Sequence, residues 1–460
     1  MSRWGGIAPA MSAPLPTRRD VLALAWPVVL ANIASPLLGL VDTAVIGNTG
    51  AVHALGAIAL GTLVFNFVFW SFGFLRMGTT GFTAQALGAG DHAEVRAALA
   101  RALLLAAVIG CALLVLQWPI GQLAWRAFDA SREVEGAAAT YFAVRIWGAP
   151  AALALFAVMG NLIGSGQTRT LLALQVLMNG LNAALDVVFA GFLGWGVAGV
   201  GLGTVLAEWV TLAVALGVVL PRLSRSRGEG EPLWPRERVA DRGRLMETLR
   251  ANGDILIRTF TLLLGFAWFT NQGAAFGDTT LAANHVLLQL ISFSAFFLDG
   301  FAFVAESFVG RAIGAKQRDL FDHAVWRTSE LALLTAVGLA LAVAAGGGLV
   351  IHALTDLPSV RAEASVFLPW CVTYVLLSAA AFQLDGVFIG ATATRDMRNA
   401  ALVSAATFIA AGTVLVQRWA NHGLWLAFVG YVVVRALTLL LRYPAVRRRA
   451  ADPREATTAR

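Results

Sequence analysis

Charge is scarce in this chain. Only 13% of its 460 residues are Asp, Glu, Lys or Arg against 58% hydrophobic, and mean hydropathy is +0.72. So few charges cannot cover a soluble domain of this length, so lipid has to be the solvent. Cysteine is nearly absent too: Cys111 and Cys371 both fall inside apolar runs, which excludes a disulfide framework and a cysteine metal cluster. A membrane-embedded enzyme would need a HExxH or a Ser/His pair, and neither occurs; His53, His285 and His422 lie near outer span ends, and His92, His323 and His352 are isolated. No GxxxxGK[ST] motif is present, which excludes ATP drive within the chain. Arg18, Arg19 and Asp20 lead straight into an apolar run longer than a signal peptide, with no small-residue cleavage site, so the first helix is expected to stay. The net charge of +7 is scattered through short loops and forms no stripe, which argues against nucleic acid.

What is present is a series of apolar runs of roughly 20 residues. Split at Gly, Pro or charge, they predict an all-α membrane protein with twelve spans near 22–46, 55–84, 97–118, 138–163, 171–192, 195–219, 251–275, 281–309, 326–350, 365–391, 399–417 and 423–441. An even count puts both ends on one side. A cytoplasmic N-terminus assigns 26 of the 34 Lys and Arg to that face and four (Arg126, Arg132, Arg361, Arg418) to the other. That bias predicts a multi-pass membrane protein with both termini cytoplasmic. The longest polar interruption, SRSRGEGEPLWPRERVADRGR, divides the chain into a tail (1–20), an N-terminal lobe (21–220), a connecting loop (221–250), a C-terminal lobe (251–442) and a basic tail (443–460).

The halves resemble each other at an offset of 226 residues: QALGA at Gln85 over RAIGA at Arg311, and GNLIGSGQTR at Gly160 over GVFIGATATR at Gly386. With an even number of spans per copy, the repeats run parallel, related by a pseudo-two-fold axis along the membrane normal with a central cleft between the lobes.

Carboxylates inside spans by default mark a substrate or ion pathway. Asp42 stands in PLLGLVDTAVIG; Asn182 and Asp186 lie four apart on one helical face. At 1.5 Å per residue Asp42 lies about 30 Å and Asp186 about 22 Å from the cytoplasmic starts of their helices, and Thr204 about 13 Å from the outer start of its own. All four fall in the outer half of the N-terminal lobe. Two acids sharing an apolar pocket cannot both stay ionised cheaply, which is what a proton carrier needs; fixed hydrogen bonding between helices is the alternative. Pro27 and Pro36 flank this depth of the first helix as hinges or as static kinks. Deeper in the C-terminal lobe, Arg258, Asp299, Glu306 and Asp385 read as a buried charge network, with a second coupling or substrate site as the alternative. Arg76, Arg145 and Arg435 near span ends read as snorkelling, and Glu208 has no assigned place. Phe65, Phe67, Trp70, Phe72, Phe74, Met77, Phe156 and Met159 suit a flat lipophilic cation, or else face lipid or core.

The segments PLLGLVDTAVIG, LRMGTTGFTAQALGAGD, NGLNAALDVVF, NGDILIR, LDGFAFVAE and LDGVFIGATATRDMRN, in this order over residues 20 to 445, resemble the multidrug and toxic compound extrusion (MATE) transporters, in particular their DinF-like (DNA-damage-inducible protein F) branch. The resemblance implies a V-shaped twelve-helix antiporter, not an enzyme, that expels organic cations in exchange for H⁺ or Na⁺ without cofactor, metal or ATP. The positions matching Asp42, Asn182, Asp186 and Thr204 would form its N-lobe cation site. H⁺ is the expected coupling ion, Asp42 the principal acid, and a monomer in the bilayer the expected state. A lipid-linked saccharide flippase of related architecture would instead line its cavity with Arg and Lys.

Overall fold

The computed structural model describes residues 15–47, 52–127 and 131–451, with side chains except at 35–44, 47, 52–53, 124 and 126–127. Asp42 and Pro36 therefore lie in a described helix, but their side chains are outside the described residues. The described residues form helices and no strand: α1(Arg18–Gly47), α2(Val52–Ser71), α3(Phe74–Gly88), α4(His92–Val115), α5(Gln117–Ala127), α6(Arg132–Arg145), α7(Ala149–Gly164), α8(Thr168–Asp186), α9(Gly196–Arg225), α10(Arg236–Val239), α11(Arg242–Ala274), α12(Asp278–Gly314), α13(Arg318–Leu354), α14(Pro358–Gly390) and α15(Thr394–Arg448). Ten helical stretches among them are long and apolar enough to cross a membrane. With α1 counted beside them, and α15 broken in two at Ala420 (φ 47°), they are consistent with the twelve spans read from the sequence.

The helices outrun the apolar spans. The polar connector read as 221–250 narrows to 226–241, because α9 continues through Pro221 and α11 starts at Arg242. Charged residues end a hydrophobic run without ending a helix, since straight-chain Arg and Glu are good helix formers. The remaining connector is tied to the start of α4: Arg96 pairs with Glu231 (2.5 Å) and Arg238 with Asp91 (2.5 Å), while the other oxygen of Asp91 caps α4 at the Glu94 amide (3.0 Å). Burial pushes the Asp91 carboxyl up, but the Arg238 guanidinium and the Glu94 amide, with Arg244 nearby, together hold the group below the usual carboxylate range. α5, absent from the sequence reading, is a short helix following α4 directly.

By contact the chain divides into two units. One holds residues up to Val29, Ala84–Gly90 and Leu249–Arg460; the other holds Leu30–Thr83 and Asp91–Thr248. The division falls inside α1, between Pro27 and Pro36, and inside α3. The core of the first unit is aromatic, with Phe269, Phe408, Trp425, Phe428 and Tyr431 packed together.

The 226-residue repeat governs the whole chain. α2, α4, α6 and α8 begin at 52, 92, 132 and 168; α12, α13, α14 and α15 begin at 278, 318, 358 and 394. The turns match residue for residue as well. Gly90, Gly166 and Gly194 have φ of 69°, 65° and 68°, and their counterparts Lys316, Thr392 and Ala420 are the described non-glycine residues with positive φ, at 54°, 49° and 47°. The second copy keeps the left-handed turns although it has side chains there, a strain of about 1–2 kcal/mol per residue.

Candidate functional site

α8 presents Asn182 and Asp186 one turn apart, 1% and 0% exposed. Asn182 Nδ2 donates to Asp186 Oδ2 at 2.8 Å and approaches Thr204 Oγ1 of α9 at 3.4 Å; the Thr204 hydroxyl donates to the Val200 carbonyl at 3.0 Å. Asn182 Oδ1 is buried without a hydrogen-bond partner. α9 comes this close because Gly203 has no side chain: a Cβ there would collide with Asp186 Oδ1. Directly after Asp186 the helix widens into a π-helical turn, Val187–Phe192, closed by Leu193 N–H on the Val188 carbonyl at 2.9 Å. Such turns change the facing of the residues around them and recur at functional sites. α1 joins this group through Asn179, whose Nδ2 donates to the Ala34 carbonyl at 2.9 Å, two residues before Pro36. The sequence-predicted residues Asn182, Asp186 and Thr204 are thus brought together, and Asp42 lies on α1 with its side chain outside the described residues. The set offers a carboxylate, an amide oxygen and a hydroxyl, donors that suit a proton or a hard cation.

In the C-terminal copy, Arg258 of α11 forms an ion pair with Asp385 of α14, both buried, and Arg435 of α15 lies 3.8 Å from the same carboxylate. Arg435 was expected to snorkel; it is 8% exposed and its guanidinium lies 5.9 Å from the Phe382 ring. Asp299 interacts electrostatically with Arg435, and Glu306 is 1% exposed on the same α12. Arg145 needs the same correction. It is buried at the end of α6 and makes two hydrogen bonds to Glu208 of α9, at 2.9 and 2.6 Å, which also gives Glu208 the place that the sequence left open. Depth would have signalled this pair: both residues lie about 19 Å along their helices from the starts of α6 and α9. Of the aromatic group, Phe65 is packed in the interior against Phe69, Tyr141 and Phe142, while Phe67 and Trp70 are exposed.

The repeat places a different set where the N-terminal copy has its acids. Positions 42, 182, 186 and 204 correspond to Trp268, Phe408, Gly412 and Gly430. The first three meet in space: the Trp268 and Phe408 rings are edge to face at 4.8 Å, and a Cβ on Gly412 would strike the Trp268 ring.

Comparison with known proteins agrees with this doubled architecture. The sequence profile of the MatE family matches residues 27–188 and 255–414, once in each half. DNA damage-inducible protein F of Escherichia coli (strain K12) is 39% identical over 424 residues, covering 90% of this chain and 90% of that protein. A probable multidrug resistance protein NorM of Deinococcus radiodurans is 29% identical over 464 residues, covering 92% of this chain and 94% of that protein. Among solved structures, a MATE protein in the bent conformation superposes with a TM-score of 0.84 at 19% identity, over 94% of this chain and 97% of that one. Another, in complex with MaD5, gives 0.83 at 18%, over 94% and 97%; both show the shared fold. With its two matched copies and a 39% identical relative over nine-tenths of its length, this multi-pass chain belongs to the MATE family of multidrug and toxic compound efflux transporters.

Proposed function

We propose that this protein is a secondary antiporter of the bacterial inner membrane, exporting organic cations in exchange for H⁺, with Asp42 as the principal coupling acid and Asn182, Asp186 and Thr204 completing its site. The observation that carries this reading is the contrast between copies. The fold fills positions 42, 182 and 186 of its second copy with Trp268, Phe408 and Gly412 in mutual contact, so packing does not demand acids at these positions. Two carboxylates in a span cost several kcal/mol unless they serve a purpose. The same register supports convergence of Asp42 on Asn182 and Asp186, since Trp268 meets Phe408 and Gly412.

Protonation removes the ionic hydrogen bonds of Asp42, and α1 repacks about Pro27 and Pro36. Their counterparts in α11, Gly253 and Leu262, are not prolines, so these hinges belong to the first copy alone. A conformational equilibrium moves only by the differential affinity of the proton and the drug for its two states, which is how one gradient drives the other. The Arg258, Asp299, Glu306, Asp385 and Arg435 cluster is read as structural. The flippase alternative asks for guanidinium groups open to phosphate, whereas Arg145, Arg258 and Arg435 each face a carboxylate. One observation favours Na⁺ as a second reading: the unpartnered Asn182 Oδ1 is an oxygen that a small cation would take.

Proteoliposomes carrying a fluorescent organic cation separate the two. Under the H⁺ reading an imposed ΔpH drives efflux and a Na⁺ gradient does not; the opposite result makes Na⁺ the coupling ion, and no response to either removes antiport. Orientation is tested in cells with Cys111 and Cys371 replaced: single cysteines at Ser226 and Thr458 are expected to resist an impermeant thiol reagent, and labelling of both from outside inverts the topology.

A further inference from the structure

We propose that Arg145 and Glu208 are the positioning pair of the N-terminal coupling site, fixing the height and rotation of α9 so that Gly203 and Thr204 meet Asp186 and Asn182. This rests on the coupling role given to that site above. The pair is built with unusual care. The guanidinium makes two hydrogen bonds to one carboxylate and lies over the Phe65 and Phe69 rings of α2 at 5.2 and 5.3 Å. The fourth span breaks at this point into a 3₁₀ turn, Ile146–Gly148, and Gly148 leaves the room that Glu208 and Arg145 occupy; a Cβ there would collide with Glu208 Oε2. The next residue of α9, Trp209, donates its indole N–H to the Trp147 carbonyl inside that turn at 3.1 Å. A bidentate fork with a ring on its face fixes direction as well as distance, which a single point charge does not.

Packing alone does not require these ions. Their counterparts at the 226-residue offset are Cys371 and Val434, and those of Phe65 and Phe69 are Ile291 and Ala295. Cys371 and Ile291 sit in the apolar core of the second copy, which packs these matched positions without charge. A buried ion pair is often replaceable by apolar residues at no loss of stability, so its presence in one copy only points to a role in what that copy does. Glu208 is four residues beyond Thr204 on α9 and therefore on the same face, one turn away. Of the elements packed against α9, α6 presents Arg145 at this depth and α8 presents Asp186, while α7 and the 61–69 stretch of α2 contain no charged residue. Asp42 is the remaining acid of the site, on α1.

The test is the pH profile of ΔpH-driven cation efflux by reconstituted full-length protein, with thermal unfolding measured alongside. Arg145→Leu/Glu208→Val imitates the second copy and is expected to unfold near the parental temperature. Its half-maximal pH is expected to move by about threefold in apparent proton affinity, the low end of coupling between residues that share a network. Arg145→Lys keeps the charge and loses the fork, so it serves if the double variant does not fold, and the same shift is expected. The reversed pair Arg145→Glu/Glu208→Arg is expected to move the midpoint back toward the parental value. A midpoint unchanged in Arg145→Lys, or in a folded double variant, with only the amount of active protein altered, overturns positioning. A flat profile in the parental protein instead sinks the proton-coupled reading on which the proposal rests.

Discussion

The two copies of the repeat share helix starts, turn conformations and register, yet they hold the buried acids Asp186 and Asp385 in different ways. Asp186 takes a hydrogen bond from the neutral amide of Asn182, with a hydroxyl beyond it; Asp385 takes its bond from the Arg258 guanidinium, with Arg435 3.8 Å away. Protonating the first disturbs a neutral donor. Protonating the second discharges one end of a buried ion pair and strands the cations facing it, which the interior does not tolerate. On the proposed reading the first acid changes its charge and the second keeps it. Where the first copy has Asp42, Asn182 and Asp186, the second has an aromatic contact over a glycine.

The largest expected effect lies in the second copy. Arg258→Ala leaves Asp385 buried with only the more distant Arg435, and stability should fall by about 3–5 kcal/mol; adding Asp385→Ala should recover part of it. Thermal unfolding in detergent measures both, and a double variant no better than the single one would argue against the pair. A smaller effect separates a glycine in each copy. Gly203→Ala pushes a methyl into Asp186 and should cost about 1–3 kcal/mol as overpacking. Gly430→Ala, at the position that matches Thr204 and with nothing near its Cβ, should stay within about 0.5 kcal/mol. Equal effects at the two positions would argue against the close approach of α9 to Asp186. The smallest concerns the turns: Thr392→Gly should stabilise the fold by about 0.5–1 kcal/mol by relieving a left-handed side chain, and Gly166→Thr should lose a similar amount.

Much of this was legible in the sequence. The span count follows from apolar runs, and two short motif pairs gave an offset that holds at helix after helix. Asn182 and Asp186 were found together because one helix carries both at a spacing that fixes their common face. Pairings across helices were harder. Arg145 with Glu208, and Arg435 with Asp385, depend on helix rotation, which hydropathy leaves open, so Arg residues near span ends read as snorkelling. The π-helical turn after Asp186 left no local signal, because Val, Phe and Ala there are ordinary helix residues. The break at Ala420 falls in the gap between the spans read as 399–417 and 423–441, and the repeat sets it over Gly194.

The central claim, that the first copy carries the coupling ion and the second a fixed charge cluster, is tested most directly by ΔpH-driven efflux from proteoliposomes holding equal amounts of folded Asp42→Asn, Asp186→Asn or parental protein. Asparagine keeps the size and hydrogen bonding of a protonated aspartate but cannot titrate, so proton binding no longer biases the conformational equilibrium. Both variants should insert and fold. Efflux should vanish in Asp42→Asn and be strongly impaired in Asp186→Asn. Efflux at the parental rate by Asp42→Asn would contradict the account and move the coupling acid to Glu306 or Asp385.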